Sequence, residues 1–222
     1  IYLFMKNILI IKTSSIGDVL RTTCVIEGLI EKYFNPRIFW LTSKKSIDTI
    51  ENNPFIREIF LLENLDKKIF NINFDFVISI EEDKKCLDIL SKLKKKTIFG
   101  VYEKEGKINY TPRSSYWYNM SLISKLGRET ADELKKSNLF SYPEILYRML
   151  GLIWNKQKPK LFLKDNIKKN SFKKIESLNF SEKIVIGIVI GSGERWPLKV
   201  LPVDLHIKLI KKIKKELKNK VE

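Results

Sequence analysis

The order of apolar and polar stretches in the first hundred residues predicts strands that alternate with helices. Apolar runs typical of buried strands recur roughly every twenty residues, at Ile8–Ile11, Arg37–Thr42, Arg57–Leu62, Asp75–Ile80 and Thr97–Val101. Between these runs, apolar residues recur at helical spacing, first after Gly17 and later near Lys84–Leu93. This alternation indicates βαβ units, so the sequence predicts an α/β protein with a parallel sheet.

The pattern changes after residue 101. The polar segment Glu103–Thr111 is predicted to be a loop, and an aromatic-faced helix is predicted to end at Gly127. Ser141-Tyr142-Pro143-Glu144 has the order of a helix start, with serine as the cap and proline just inside.

A polar, proline-containing segment at Lys156–Lys160 marks the predicted domain boundary. The first domain is assigned to residues 1–158 and the second to residues 159–222. Within the second, Ile184–Ile190 (IVIGIVI) predicts a buried strand that opens another Rossmann-like unit. Val203–Asn219 predicts an amphipathic helix with a basic outer face.

Composition narrows the class of protein. The formal net charge is +16, and lysine supplies 35 of the 42 basic residues. Proteins that read nucleic acid rely on the bidentate contacts of arginine, so this bias argues against a nucleic-acid partner. No apolar run approaches the roughly 20 residues that span a bilayer, and Cys24 and Cys86 fit no disulfide or metal pattern. A cytoplasmic protein is expected, with Met5 as its natural start and Ile1–Phe4 as an upstream extension.

The most informative stretch is the polar segment that follows the first predicted strand. Thr13, Ser14, Ser15, Gly17 and Asp18 lie between Ile8–Ile11 and the first helix. In doubly wound sheets, ligands bind where loops leave the carboxyl ends of strands. Neither a P-loop nor a dinucleotide fingerprint is present. The residues alone leave two interpretations of Asp18 open, a helix cap and a catalytic carboxylate.

The segment ILIIKTSSIGDVL resembles the amino-terminal signature of the heptosyltransferase-type glycosyltransferases, glycosyltransferase family 9. In that family the aspartate after the glycine is the proposed catalytic base, and this resemblance assigns that role to Asp18. It also makes the preceding residues an acceptor-side loop. Cys24 departs from the family, which usually has proline there.

A second motif follows the predicted strand of the second domain. Gly191-Ser192-Gly193 is by itself typical of a turn. Its position before Lys199 resembles the donor site of the same family, which implies that Ser192, Gly193 and Lys199 bind the donor phosphates. Leu201, where the family usually has tryptophan, and the acidic Glu194 depart from the pattern.

The resemblance implies two Rossmann-like domains of the GT-B glycosyltransferase type, with the second domain incomplete at Glu222. The implied function is inverting, metal-independent transfer of a heptose or similar sugar, without a cofactor, from a nucleotide-diphosphate donor, ADP-heptose. The implied acceptor is a lipopolysaccharide-core or related anionic glycan or glycolipid, which leaves open a peripheral contact with the inner membrane. The 222-residue chain is itself expected to be inactive. Two alternatives remain, a catalytically inactive sugar-nucleotide-binding relative and a lysine-rich nucleic-acid-binding α/β protein.

Overall fold

A computed structural model describes residues 5–121, 126–178, 184–191 and 200–217. The chain divides into two compact units, Ile1–Phe162 and Leu163–Glu222. In the described ranges, no helix is both long and apolar enough to cross a membrane.

The first unit contains a six-stranded sheet in the order β3-β2-β1-β4-β5-β6. The first five strands run parallel, and β6 pairs antiparallel with β5. The strands are β1 (Asn7–Ile11), β2 (Arg37–Thr42), β3 (Ile56–Leu61), β4 (Asn73–Ser79), β5 (Lys94–Lys104) and β6 (Lys107–Tyr110). The predicted α/β class and parallel sheet are therefore confirmed.

Helices and 3₁₀ turns connect the strands. The first-unit helices are α1 (Ile16–Thr22), α2 (Val25–Lys32), α3 (Lys84–Lys92), α4 (Ser115–Asn119), α5 (Arg128–Ser137) and α6 (Tyr142–Leu150). The 3₁₀ turns span Ile47–Thr49, Lys67–Asn71 and Pro112–Ser114. The second unit has α7 (Asp165–Ser177) and α8 (Val203–Glu216). The predicted cap of α6 is present, because the Ser141 hydroxyl accepts from the Glu144 N–H.

Strand β1 is buried on both faces, and its side chains divide between two apolar layers. Ile8 and Ile10 pack in the layer that includes residues of α1, α2 and α6. Leu9 and Ile11 pack in the opposite layer, with residues of α3. All four side chains are completely buried. A continuous apolar run is what a central parallel strand covered on both sides requires.

The loop predicted over Glu103–Thr111 is wrong. Strands β5 and β6 form a hairpin in this region, with Lys104 opposite Lys107. Glu105 and Gly106, the two residues of the turn, have φ of 54° and 71°. A two-residue turn with both φ values positive matches the twist of a hairpin, and glycine at its second position is typical.

The strand predicted over Ile184–Ile190 is also wrong. Ile184 forms an isolated bridge, and Val185–Gly191 forms no strand and is largely exposed. A strand needs a neighbour to pair its N–H and C=O groups. Among its described residues, the second unit contains no extended strand that could supply that pairing.

Asp75 links the amino ends of β1 and β4. Its carboxyl group should make the protein less stable at acid pH. Its carboxylate accepts from the Asn7 N–H at 3.0 Å and from Lys96 Nζ at 2.9 Å. Burial opposes its charge, but these hydrogen bonds and the Lys6 charge outweigh burial and lower the pKa of the Asp75 carboxyl. Stability from a lowered carboxyl pKa is lost as pH falls through the folded-state value.

We therefore expect the free energy of unfolding to decrease below about pH 4, the ordinary aspartate pKa. The change Asp75→Asn should lower stability at neutral pH and flatten this acid dependence. Urea unfolding at a series of pH values measures both effects. An equally steep acid dependence in Asp75→Asn would assign it to other carboxyls.

Candidate active site

The sheet order places the carboxyl ends of β1 and β4 side by side. The chain leaves β1 toward β2 on one side of the sheet, whereas β4 pairs with the other side of β1 and leads to β5. The loops after β1 and β4 therefore diverge at a topological switch point. In doubly wound sheets this is where ligands bind.

Asp18 lies at this edge, in the first turn of α1. Its N–H donates to the Ser15 carbonyl at 2.9 Å. Ser15 occupies the N-cap position, and no side chain makes a capping hydrogen bond to this helix. The helix-cap interpretation of Asp18 is therefore wrong, and its carboxylate is available for another role.

The Asp18 carboxylate forms an ion pair with Arg21, one turn further along α1. Asp18 Oδ1 lies 3.0 Å from Arg21 Nε, and the two side chains are 36% and 41% exposed. The Arg21 guanidinium lies 3.8 Å above the centre of the Tyr142 ring. Such cation–π stacking orients the planar guanidinium. A solvent-accessible carboxylate is thus held beside a cation whose orientation α6 fixes.

Tyr142 is the third residue of the cluster that contains Asp18 and Arg21. Its hydroxyl lies 3.1 Å from that of Thr22, which donates to the Asp18 carbonyl at 2.7 Å. Burial raises the pKa of Tyr142 to about 12, although the Thr22 hydrogen bond and the Arg21 charge act in the opposite direction. The phenol therefore stays protonated at neutral pH and cannot act as a general base.

Glu81, the second residue after β4, fixes the loop after β1 through hydrogen bonds. Glu81 Oε1 accepts from Lys12 Nζ at 2.8 Å, from the Thr13 N–H at 2.8 Å and from the Ser14 N–H at 2.9 Å. The Thr13 carbonyl accepts from the hydroxyls of Ser43 at 2.6 Å and Ser46 at 3.1 Å. The loop is thus tied to the segments that follow β2 and β4.

The predicted acceptor-side loop residues do not all face the same way. Thr13 is buried, and its hydroxyl lies 3.9 Å from the Cys86 sulfur. Ser14, Ser15 and Gly17 are exposed, and a Cβ atom added to Gly17 would meet nothing within 4 Å. The exposed three residues can touch a ligand, whereas Thr13 supports the loop from inside.

Sequence reasoning missed Glu81, Arg21 and Tyr142. Glu81 could have been found, because it follows a predicted strand and strand ends share one edge of the sheet. Arg21 could have been found from its i,i+3 spacing to Asp18 on a helix. The contact between Tyr142 and Arg21 joins distant parts of the chain, and no local pattern signals it. The predicted donor residues Ser192, Gly193 and Lys199 lie outside the described residues.

The first unit is thus a doubly wound α/β domain with a carboxylate at its switch point. The chain is similar in fold to a glycosyltransferase family 9 structure from Veillonella parvula DSM 2008, with a TM-score of 0.58 and 16% identity. The match covers 90% of this chain and 57% of that one. A second similar structure is the ADP-heptose lps heptosyltransferase II of E. coli, with a TM-score of 0.55 and 16% identity. That match covers 96% of this chain and 62% of the other.

These similarities confirm the resemblance and the GT-B-type fold predicted from the sequence. No protein-family model matches the sequence, and no curated protein matches it. The chain spans less than two thirds of the length of both similar structures.

Proposed function

We propose that the protein is an inverting glycosyltransferase of the heptosyltransferase type, and that Asp18 is its catalytic base. The observation that carries the proposal is the position of Asp18, a partly exposed carboxylate without a capping role at the switch point of the sheet. The fold supports the reaction class, because the similar structures are glycosyltransferases.

In the proposed reaction, Asp18 takes the proton of an acceptor hydroxyl while that oxygen attacks the anomeric carbon of the donor sugar. The new C–O bond forms on the face opposite the bond to the diphosphate, which leaves with the bonding electrons. General-base catalysis of this kind typically contributes about 10²–10⁴-fold to the rate. Arg21 holds the carboxylate in place before the acceptor arrives, because its guanidinium is stacked on Tyr142.

The proposed donor is a nucleotide-diphosphate sugar, ADP-heptose. This sugar nucleotide appears in the name of the similar E. coli enzyme. Ser192, Gly193 and Lys199 are proposed to hold the diphosphate. A lysine close to the departing diphosphate would stabilise its developing negative charge. This assignment is supported by the sequence motif.

The proposed acceptor is an anionic glycan or glycolipid, of the lipopolysaccharide-core type or a related one. Its support is the formal net charge of +16. A basic surface draws the protein to an anionic leaflet, where each lysine contributes at most about 1 kcal/mol. We therefore propose a cytoplasmic enzyme that meets its acceptor at the inner membrane face.

The function is tested by incubating the full-length protein with ADP-heptose and a panel of acceptors. Release of ADP together with a glycosylated product, and an inverted anomeric configuration in that product, is the expected result. Binding of ADP-heptose without product formation with any acceptor would instead favour the inactive sugar-nucleotide-binding relative.

Lys199→Ala tests the donor side. Loss of one preorganised charge-stabilising group typically lowers kcat about 10²–10³-fold, and we expect that loss here. Lys211→Ala, on the exposed face of α8, is the matched control and should keep the wild-type rate. Steady-state kinetics with ADP-heptose compare the two variants. Equal rates for both would remove Lys199 from the donor site.

A further inference from the structure

Glu81 is a buried carboxylate at the switch point that the proposed reaction does not itself use. The residue is 7% exposed, and a single oxygen receives three hydrogen bonds, two from the successive N–H groups of Thr13 and Ser14. Successive backbone N–H groups that converge on one point form an anion-binding concavity. Here the anion is the Glu81 carboxylate itself. A residue of the loop after β4 therefore fixes the backbone of the loop after β1.

The loop shaped in this way is the one that carries Asp18. One residue beyond Ser14, the Ser15 carbonyl accepts from the N–H groups of Asp18 and Val19, both at 2.9 Å, and this starts α1. A displacement of the Thr13–Ser14 backbone therefore displaces the first turn of the helix. A misplacement of a catalytic group by about 1 Å can lower a rate by about 10²-fold.

We propose that Glu81 is a positioning residue that sets the location of the Asp18 carboxylate through the Thr13–Ser14 backbone. This role deepens the proposed function and rests on it. Lys12, whose ammonium lies 2.8 Å from Glu81 Oε1 and whose exposure is 8%, balances the buried charge.

If the role of Glu81 were purely structural, the residue would only link β1 to β4. The chain contains a second link of this kind that serves as a comparison. Asp75 joins the same two strands at their amino ends, also by accepting from a backbone N–H and a lysine. That link lies at the opposite edge of the sheet from Asp18. Substitution of Asp75 therefore tests the loss of a β1–β4 link alone, whereas substitution of Glu81 also tests the position of Asp18.

The experiment compares Glu81→Gln with Glu81→Leu, both in a Lys12→Met background so that no lysine is left buried without a counter-charge. Glutamine keeps an acceptor oxygen for the loop N–H groups, whereas leucine removes it. We expect kcat of the leucine variant to be about 10²-fold below that of the glutamine variant. The Kd for the donor should be the same in both. Asp75→Asn should lower the melting temperature but change kcat less than about threefold, far below that hundredfold loss.

Amide hydrogen exchange provides a readout that does not depend on turnover. The leucine variant should exchange faster than the glutamine variant at Thr13, Ser14, Asp18 and Val19, and Asp75→Asn should not change these amides. Equal kcat and equal exchange in the two Glu81 variants would overturn the positioning role. If Asp18→Asn is inactive while the Glu81 pair behaves alike, only this inference fails. If Asp18→Asn stays active, the proposed function fails as well.

Discussion

Replacement of Asp18 with asparagine is expected to lower the transferase rate about 10²- to 10⁴-fold, the usual contribution of a general base. Asparagine has nearly the same shape but cannot take the proton of the acceptor hydroxyl. Donor affinity should be unchanged, because the proposed diphosphate site lies in the other predicted domain. The measurement is kcat, donor Kd and melting temperature of Asp18→Asn beside the wild type.

The stability cost of this replacement should be small. Asp18 makes no capping hydrogen bond, and its ion pair with Arg21 is more than one third exposed on both sides. Exposed ion pairs typically contribute about 0–1 kcal/mol. For a domain of this size, 1 kcal/mol corresponds to a shift of about 2–4 °C in melting temperature.

Arg21→Gln is the control for the ion pair. It removes the same pair from the other side but leaves the carboxylate in place. A rate loss in Arg21→Gln as large as that in Asp18→Asn would mean that the pair, and not proton transfer, determines the rate. A near-normal rate in Asp18→Asn would place the catalytic carboxylate elsewhere.

The parts of the fold that follow from local pattern could be predicted from the sequence. The run Ile8–Ile11 indicates a strand buried on both faces, and the polar loop and helix after it follow from residue type and spacing. The hairpin at Glu105-Gly106 is hidden from a search for apolar runs because charged residues flank it, although glycine at the second turn position is typical of a hairpin. Apolar content alone predicts the strand at Ile184–Ile190, and that content does not reveal whether a neighbouring strand pairs with it.

The candidate site was predictable only in part. Asp18 and the exposed loop residues stand together in the sequence, so a motif can identify them. The contacts from Glu81 to Thr13 and from Tyr142 to Arg21 join residues 68 and 121 positions apart, and chain folding alone creates them. The sequence can therefore indicate the candidate catalytic residue but not the residues that orient it.

A long-range contact of this kind joins α6 to α2. The Tyr147 hydroxyl donates to the Cys24 carbonyl at 2.8 Å and accepts from the Gly28 N–H at 3.1 Å. Those two backbone groups are four residues apart, which is the spacing that an α-helix pairs. The Tyr147 side chain is fully buried, and burial raises the pKa of its phenol, which keeps it a hydrogen-bond donor. Tyr147 therefore bridges the first turn of the helix that follows α1.

Tyr147→Ala should lower the free energy of unfolding by about 3–5 kcal/mol, the usual cost of removing a large buried aromatic side chain. The loss comes from the cavity, because the Cys24 and Gly28 groups can then pair directly within α2. Tyr147→Phe keeps the ring and loses only the hydrogen bonds of the hydroxyl, so it should cost about 0.5–1.5 kcal/mol. Urea unfolding of both variants provides the comparison.

Gly28→Ala is a control for this prediction, because its expected effect on stability changes sign when the Tyr147 ring is removed. A Cβ atom at Gly28 would lie 2.6 Å from the Tyr147 ring, so Gly28→Ala in the native background should destabilise by about 1–3 kcal/mol through overpacking. With Tyr147→Ala already in place the clash is gone, and alanine should stabilise α2 by about 1 kcal/mol through its higher helix propensity. A double-mutant cycle measures this coupling. If Gly28→Ala has the same effect in both backgrounds, the tyrosine ring is not what requires glycine at this position.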